Sequence, residues 1–164
     1  MDDIDSILTL VTEPAVPLIC EPAAKKRAPD SSYGAQFSLP YGVACCLTRN
    51  RFGLEEIEEK SYTDPALLKL AAKVGYEIDP NSGFPKFRSG EVIVNMRNGQ
   101  SFRQREAILP DEPAGDSEIV DKFMLNVEPL MDTARAEKIR DTILALEKMA
   151  DTRVLLAMLS GSQR

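Results

Sequence analysis

The run "GEVIVNMRNGQSFRQREAI", residues 90–108, limits the possible folds more than any other stretch of the chain. Asn98-Gly99 lies between two segments that alternate apolar and polar residues. That arrangement marks a β-hairpin. Its register can be argued. A two-residue turn at Asn98-Gly99 sets Phe102 opposite Asn95. A three-residue loop, Arg97-Asn98-Gly99 with Gly99 left-handed, sets Phe102 opposite Val94 and Arg105 opposite Glu91. The second register makes an apolar pair and an ion pair across the strands, and it is preferred. Val92, Val94, Met96 and Phe102 are then expected to share the buried face.

An isolated hairpin is marginal in water, so further elements must cover it. Residues 4–12, "IDSILTLVT", are rich in apolar and β-branched types and read as a strand. "VGYEID" alternates Val74, Tyr76 and Ile78 against Gly75, Glu77 and Asp79, again with strand period. Residues 13–34 hold Pro14, Pro17, Pro22 and Pro29 and read as an extended or looped connector. Its "AAKKRAP" part is expected to be exposed. Residues 40–49 read as a helix with Pro40 at its start. In "TDPALLKLAAKVG", Asp64 can cap and Pro65 can open a second helix. After "LPDEPAGD", Asp116 or Ser117 can cap a helix carrying Ile119, Val120, Phe123, Met124 and Val127, ended by Pro129. Another spans about Ala134 to Met149, with Ile139, Ile143 and Leu146 on one face. A short last helix follows Asp151. Strands and helices are segregated rather than alternating. The expectation is an α+β fold, a two-layer sandwich of a small, mainly antiparallel sheet with helices packed on one face, plus C-terminal helices. It is read as one domain over residues 1–164, with a strand and Pro-rich connector in 1–34 and a frayed tail at 160–164.

Function is bounded mostly by exclusion. The 164 residues contain no histidine. Imidazole is the usual general base near neutral pH and the commonest metal ligand. No Ser-His-Asp or Cys-His pair can be built, so the composition favours a binding or partner domain over a self-sufficient enzyme. The net charge of −6 disfavours nucleic acid. No apolar run approaches the roughly 18 residues that span a bilayer. Met1-Asp2-Asp3 is acidic where a signal peptide would be basic, which reads as cytoplasmic. Neither GxGxxG nor a phosphate loop occurs, and no cofactor or metal is expected. The acidic "LEEIEEK", residues 54–60, reads as a solvated surface. Cys20, Cys45 and Cys46 read as reduced thiols. The last two are expected to be buried packing residues, because an apolar setting with no histidine leaves a thiol inert. Tyr41, at a helix start beside a proline, reads as a core or hinge tyrosine, with a hydroxyl that could reach a cleft.

The ordered series "AQFSLPYGVA", "DPALLKLAAKV", "GEVIVNMRNGQSF" and "VDKFMLNVEPLM", with the opening strand, resembles the C-terminal part of the MmgE/PrpD (2-methylcitrate dehydratase) family. The resemblance runs along nearly the whole chain. It implies the lid domain of a lyase or isomerase acting on a small polycarboxylate, of dehydratase, decarboxylase or epimerase type. In that family a large helical domain precedes the lid and supplies most acid–base groups. The resemblance therefore implies a separate or missing helical domain as partner, and catalytic incompleteness without it. It also places Tyr41 at the position where the family lid presents a tyrosine to substrate. An alternative is a non-catalytic binding or oligomerisation module derived from the family. A homo-oligomer is expected, because the face that would meet the helical domain is apolar.

Overall fold

The computed structural model describes residues 2–109 and 114–160. By its internal contacts the chain forms two compact units, Met1–Pro113 and Ala114–Arg164, within the span read as one domain.

The first unit opens with strand β1 (Ile4–Val11). A 3-10 turn (Glu13–Ala15) and a π turn (Val16–Cys20) follow, then short helices α1 (Ala23–Arg27) and α2 (Ser32–Gln36). Helix α3 covers Leu39–Arg49, α4 Glu59–Tyr62 and α5 Pro65–Ala71. Strands β2 (Val74–Ile78), β3 (Arg88–Met96) and β4 (Ser101–Ile108) complete it. The sheet order is β2-β1-β3-β4. β1 is parallel to β2, while β1–β3 and β3–β4 are antiparallel, so the sheet is mixed but mainly antiparallel. This is the α+β architecture read from the segregated pattern.

The hairpin takes the three-residue register. Phe102 pairs with Val94 and Arg105 with Glu91. Gly99 has φ +86°, a left-handed value that costs glycine little. Its N–H donates to the Met96 carbonyl at 3.0 Å, closing the turn. The expected burial of this face is incomplete. Val92, Val94 and Met96 pack against the core, but Phe102 stays 58% exposed. Within the first unit no described helix covers β4, all of whose residues are exposed.

The core forms where helices meet the inner strands. Ile4, Ile7 and Val74 from the sheet pack against Ala44 of α3 and Leu70 and Ala71 of α5. The alanines let both helix backbones approach the sheet. A second cluster on the far side of α3 joins Ala35, Tyr41, Cys45 and Leu67. Local chemistry fixes each helix start. Ser38 Oγ accepts from the Tyr41 N–H at 3.1 Å, and Asp64 Oδ1 from the Ala66 N–H at 2.9 Å.

Of the extended and looped readings of the connector, the looped one holds, and Lys25 and Arg27 of its basic part are exposed as expected. It is wound into turns, and its basic residues hold main-chain carbonyls. Lys26 Nζ donates to the carbonyls of Leu18 and Phe37, both at 2.6 Å, and Arg27 Nε to that of Val74 at 3.2 Å. These carbonyls lack helix or sheet partners, and the long side chains reach them.

The second unit contains α6 (Asp116–Val127), α7 (Thr133–Leu144) and α8 (Arg153–Leu159). Asp116 is the first residue of α6 rather than its cap. The Glu118 carboxylate accepts from the Gly115 N–H instead, at 2.9 Å. α6 stops at Val127, two residues before Pro129, as the proline requires. α7 ends at Leu144, earlier than read, and a 3-10 turn (Leu146–Lys148) follows it. Ile139 of the expected stripe is buried, while Ile143 and Leu146 are exposed. Of the tail read at 160–164, residues 161–164 lie outside the described residues.

Candidate functional site

Helix α3 has two faces with different neighbours. Tyr41 and Cys45, four residues apart, point into the second core cluster. Gly42, Val43, Cys46 and Leu47 line a cleft of about 770 Å³ between α3 and the β3–β4 hairpin. Val92, Val94 and Phe102 form its sheet wall, with Phe52 at one end. The volume suits a small molecule or a row of partner side chains.

Three of the polar side chains around this cleft are already engaged. Ser38 Oγ donates to the Lys26 carbonyl. Arg103 is paired with Glu91, and Gln104 Nε2 donates to Glu106 at 2.7 Å. No convergent pair of acid and base faces the cavity. Among the described residues, no group of three or more His, Cys, Asp or Glu side chains could hold a metal ion. The cleft is therefore built to receive apolar surface and has no group positioned to abstract a proton from a polycarboxylate.

Tyr41, the candidate substrate contact, is fully buried. Its hydroxyl donates to the Glu56 carbonyl at 2.5 Å. Burial foremost, then the neighbouring Cys45, pushes its phenol well above the ordinary range. Phe52 packs edge-on against it, ring centroids 6.1 Å apart, and presents its own ring to the cleft. In this arrangement Tyr41 anchors α3, and its hydroxyl does not open on the cavity.

The cysteines divide. Cys45 is buried as expected, but Cys46 is exposed at the cleft wall. One residue along a helix turns a side chain by about 100°, so adjacent cysteines cannot share one environment. Burial of its sulfur still pushes the Cys46 thiol up, which keeps it protonated and weakly nucleophilic.

In the acidic run Glu58, Glu59 and Lys60 are exposed as read, but Glu56 is not. Glu56 is 1% exposed. Its carboxylate accepts from the Gly53 N–H at 2.9 Å, Arg51 Nε at 3.1 Å and Arg49 Nη1 at 3.4 Å. Arg49 Nη1 also donates to Ser61 Oγ at 2.9 Å. Two arginines and a glycine just upstream of the acidic run were the sequence signal for a paired carboxylate. A second ionic knot lies on the sheet face away from α3. Arg105 binds Asp79 at 2.7 Å and Glu91 at 3.0 Å, and Arg103 also binds Glu91. Asp79 and Glu91 are both buried. The Arg105 guanidinium, against a smaller effect of burial, holds the Asp79 carboxyl below its usual range.

Comparison with known proteins gives the chain a family. The sequence model of the MmgE/PrpD C-terminal domain matches residues 1–148. This chain belongs to the MmgE/PrpD family. It is 26% identical over 141 residues to a cis-aconitate decarboxylase-like protein, oryM, of Aspergillus oryzae. The match covers 84% of this chain and 29% of that relative. The chain thus corresponds to one part of a larger family architecture, and most of the relative's length has no counterpart in it. No described helix is long and apolar enough to cross a membrane.

Proposed function

We propose that this chain is the lid-type domain of an MmgE/PrpD lyase or isomerase acting on a small polycarboxylate, and that it is catalytically incomplete alone. The observation that carries this reading is the pairing of a C-terminal-domain match over residues 1–148 with a chain that has no histidine. The family covers dehydratases and decarboxylases, and both reactions need an acid–base set. The chemistry then requires a second, histidine-bearing helical region. The lid's part is to close over the substrate, exclude water and hold geometry. The apolar cleft beside α3 supplies a surface for that second region to grip.

Tyr41 remains this domain's candidate for touching substrate. To do so its hydroxyl must exchange the Glu56 carbonyl for a substrate oxygen when the two parts close. A non-catalytic binding module is the second reading, favoured by the mostly apolar lining of the cleft.

Co-expression with the helical region of an MmgE/PrpD family member separates these. The expected result is a copurifying pair that turns over cis-aconitate or 2-methylcitrate, while this chain alone is inert. Tyr41→Phe in the pair should then lower kcat. A stable pair inert on every polycarboxylate tried would leave only the binding module.

A further inference from the structure

Tyr41 is one residue from the cleft wall, yet it is fully buried. Phe52 separates the two. Gly42, the next residue of α3, lines the cleft, and a Cβ built on it would lie 4.0 Å from the Phe52 ring. Phe52 thus rests over bare glycine backbone, edge-on to Tyr41, with 39% of its surface exposed. Its ring has nothing polar with which to anchor itself, so its place depends on the turn that carries it.

One residue holds that turn. Among the described residues, 51–53 make no main-chain to main-chain hydrogen bond. Their bonds go to carboxylates instead. Arg51 Nε donates to Glu56 Oε1 at 3.1 Å and the Gly53 N–H to Glu56 Oε2 at 2.9 Å, so both neighbours of Phe52 are tied to one side chain. Arg51 also pairs with the exposed Glu55. The Glu56 carbonyl takes the Tyr41 hydroxyl at 2.5 Å. Glu56 therefore grips the covering ring through its carboxylate and the covered hydroxyl through its main chain. The turn leaves α3 at Asn50, whose φ of +55° ends the helix, so it can move without breaking a helix or sheet ladder. We infer that Phe52 is a gate over Tyr41 and Glu56 its clasp: when the carboxylate releases the turn, Phe52 swings outward and the tyrosine hydroxyl is freed toward the cleft. Both act through Tyr41 and are positioning residues. The inference rests on the lid reading only for what Tyr41 then meets. The gate itself is built entirely within the first unit.

Nuclear magnetic resonance on the full chain tests this without substrate. A failure here rejects the gate alone, whereas the lid reading stands or falls on the co-expressed pair. With meta-fluorotyrosine in place of the four tyrosines, the fluorine shift between light and heavy water reports contact with solvent. Tyr41, assigned by Tyr41→Phe, should show almost none, against a large shift at Tyr33, which is 71% exposed. Phe52→Ala should bring the Tyr41 shift close to that of Tyr33. Phe52→Leu still covers Gly42 and should restore the wild-type value. Glu56→Gln should give an intermediate shift, and Arg51→Met replaces it if the glutamine variant does not fold. Amide hydrogen exchange reads the opening in wild type. The Gly53 amide should exchange at a rate indifferent to low urea, while the Ile7 amide, bonded to the Lys73 carbonyl at 3.0 Å, accelerates with urea as global unfolding does. A Tyr41 shift that stays near zero in Phe52→Ala, with far-UV circular dichroism unchanged, overturns the gate. So does a shift that stays near zero in both clasp variants, or a Gly53 amide that exchanges only with global unfolding. If Phe52→Ala unfolds the chain, the clasp variants and the Gly53 amide decide.

Discussion

Glu56 is the residue on which the α3–α4 region turns. A buried carboxylate is costly unless it is paired and hydrogen-bonded. Burial pushes its carboxyl up, but the Gly53 amide and the two arginines outweigh that and hold it below its ordinary 4.5. A carboxyl depressed on folding adds stability that is complete above its unfolded value. That stability is lost as pH falls through the folded value. Glu56→Gln keeps the shape and deletes the charge. It should cost about 1–3 kcal/mol at neutral pH, the scale of hydrogen bonds to a charged group. Urea unfolding of both proteins across pH checks the sign. The gap should be constant near neutrality and narrow progressively below pH 4.5. A gap that persists at strongly acid pH would mean the carboxylate's charge is not what Glu56 contributes. The same carboxylate helps explain Tyr41, because the carbonyl that takes the tyrosine hydroxyl belongs to Glu56.

At the scale of elements, the sequence was most legible where local rules act alone. The hairpin register followed from one glycine and two cross-strand pairs, all within twenty residues of chain. Gly99 tests how much of that resides in the turn. No atom lies within 4 Å of a Cβ built there, so only backbone strain opposes a side chain. Gly99→Ala should cost about 1 kcal/mol. Gly99→Asn should cost less, since asparagine tolerates the left-handed region. Equal losses in urea midpoint for the two would show that something other than φ governs the position. The helices at α3 and α5 were legible for the same reason, through Ser38, Pro40, Asp64 and Pro65. Burial that depends on distant partners was not legible. Glu56 sits inside because Arg49 and Arg51 reach it. Lys26 and Arg27 hold carbonyls that are distant in sequence or left open by irregular backbone. Cys46 is exposed because it faces the open cleft rather than the core on the other side of α3. Tyr41 was placed correctly at the helix start, but its direction depends on a carbonyl 15 residues away. The candidate site was therefore read as a position without its geometry.

The whole molecule divides unevenly between its two units. Of the buried apolar residues described, all but Ala136 and Ile139 lie in Met1–Pro113. That unit owns the sheet, both core clusters and both ionic knots. The second unit leaves Leu130, Leu144, Val154 and Leu156 more than half exposed. Three helices with that much apolar surface in water share only a small core around Ala136 and Ile139, and helices of this length are marginal without tertiary packing. Such surface fits a piece of a larger assembly, in keeping with a chain that covers 29% of its fungal relative. Residues 1–113 expressed alone should therefore fold, with the sheet signal retained and cooperative unfolding near the midpoint of the full chain. Residues 114–164 alone should show weak helicity and no cooperative transition, and should gain helix only with an apolar partner or trifluoroethanol. If instead the 1–113 piece is unfolded while the full chain melts cooperatively, the second unit supplies stability beyond the contacts described within the first. The functional reading would then have to treat both units as one lid.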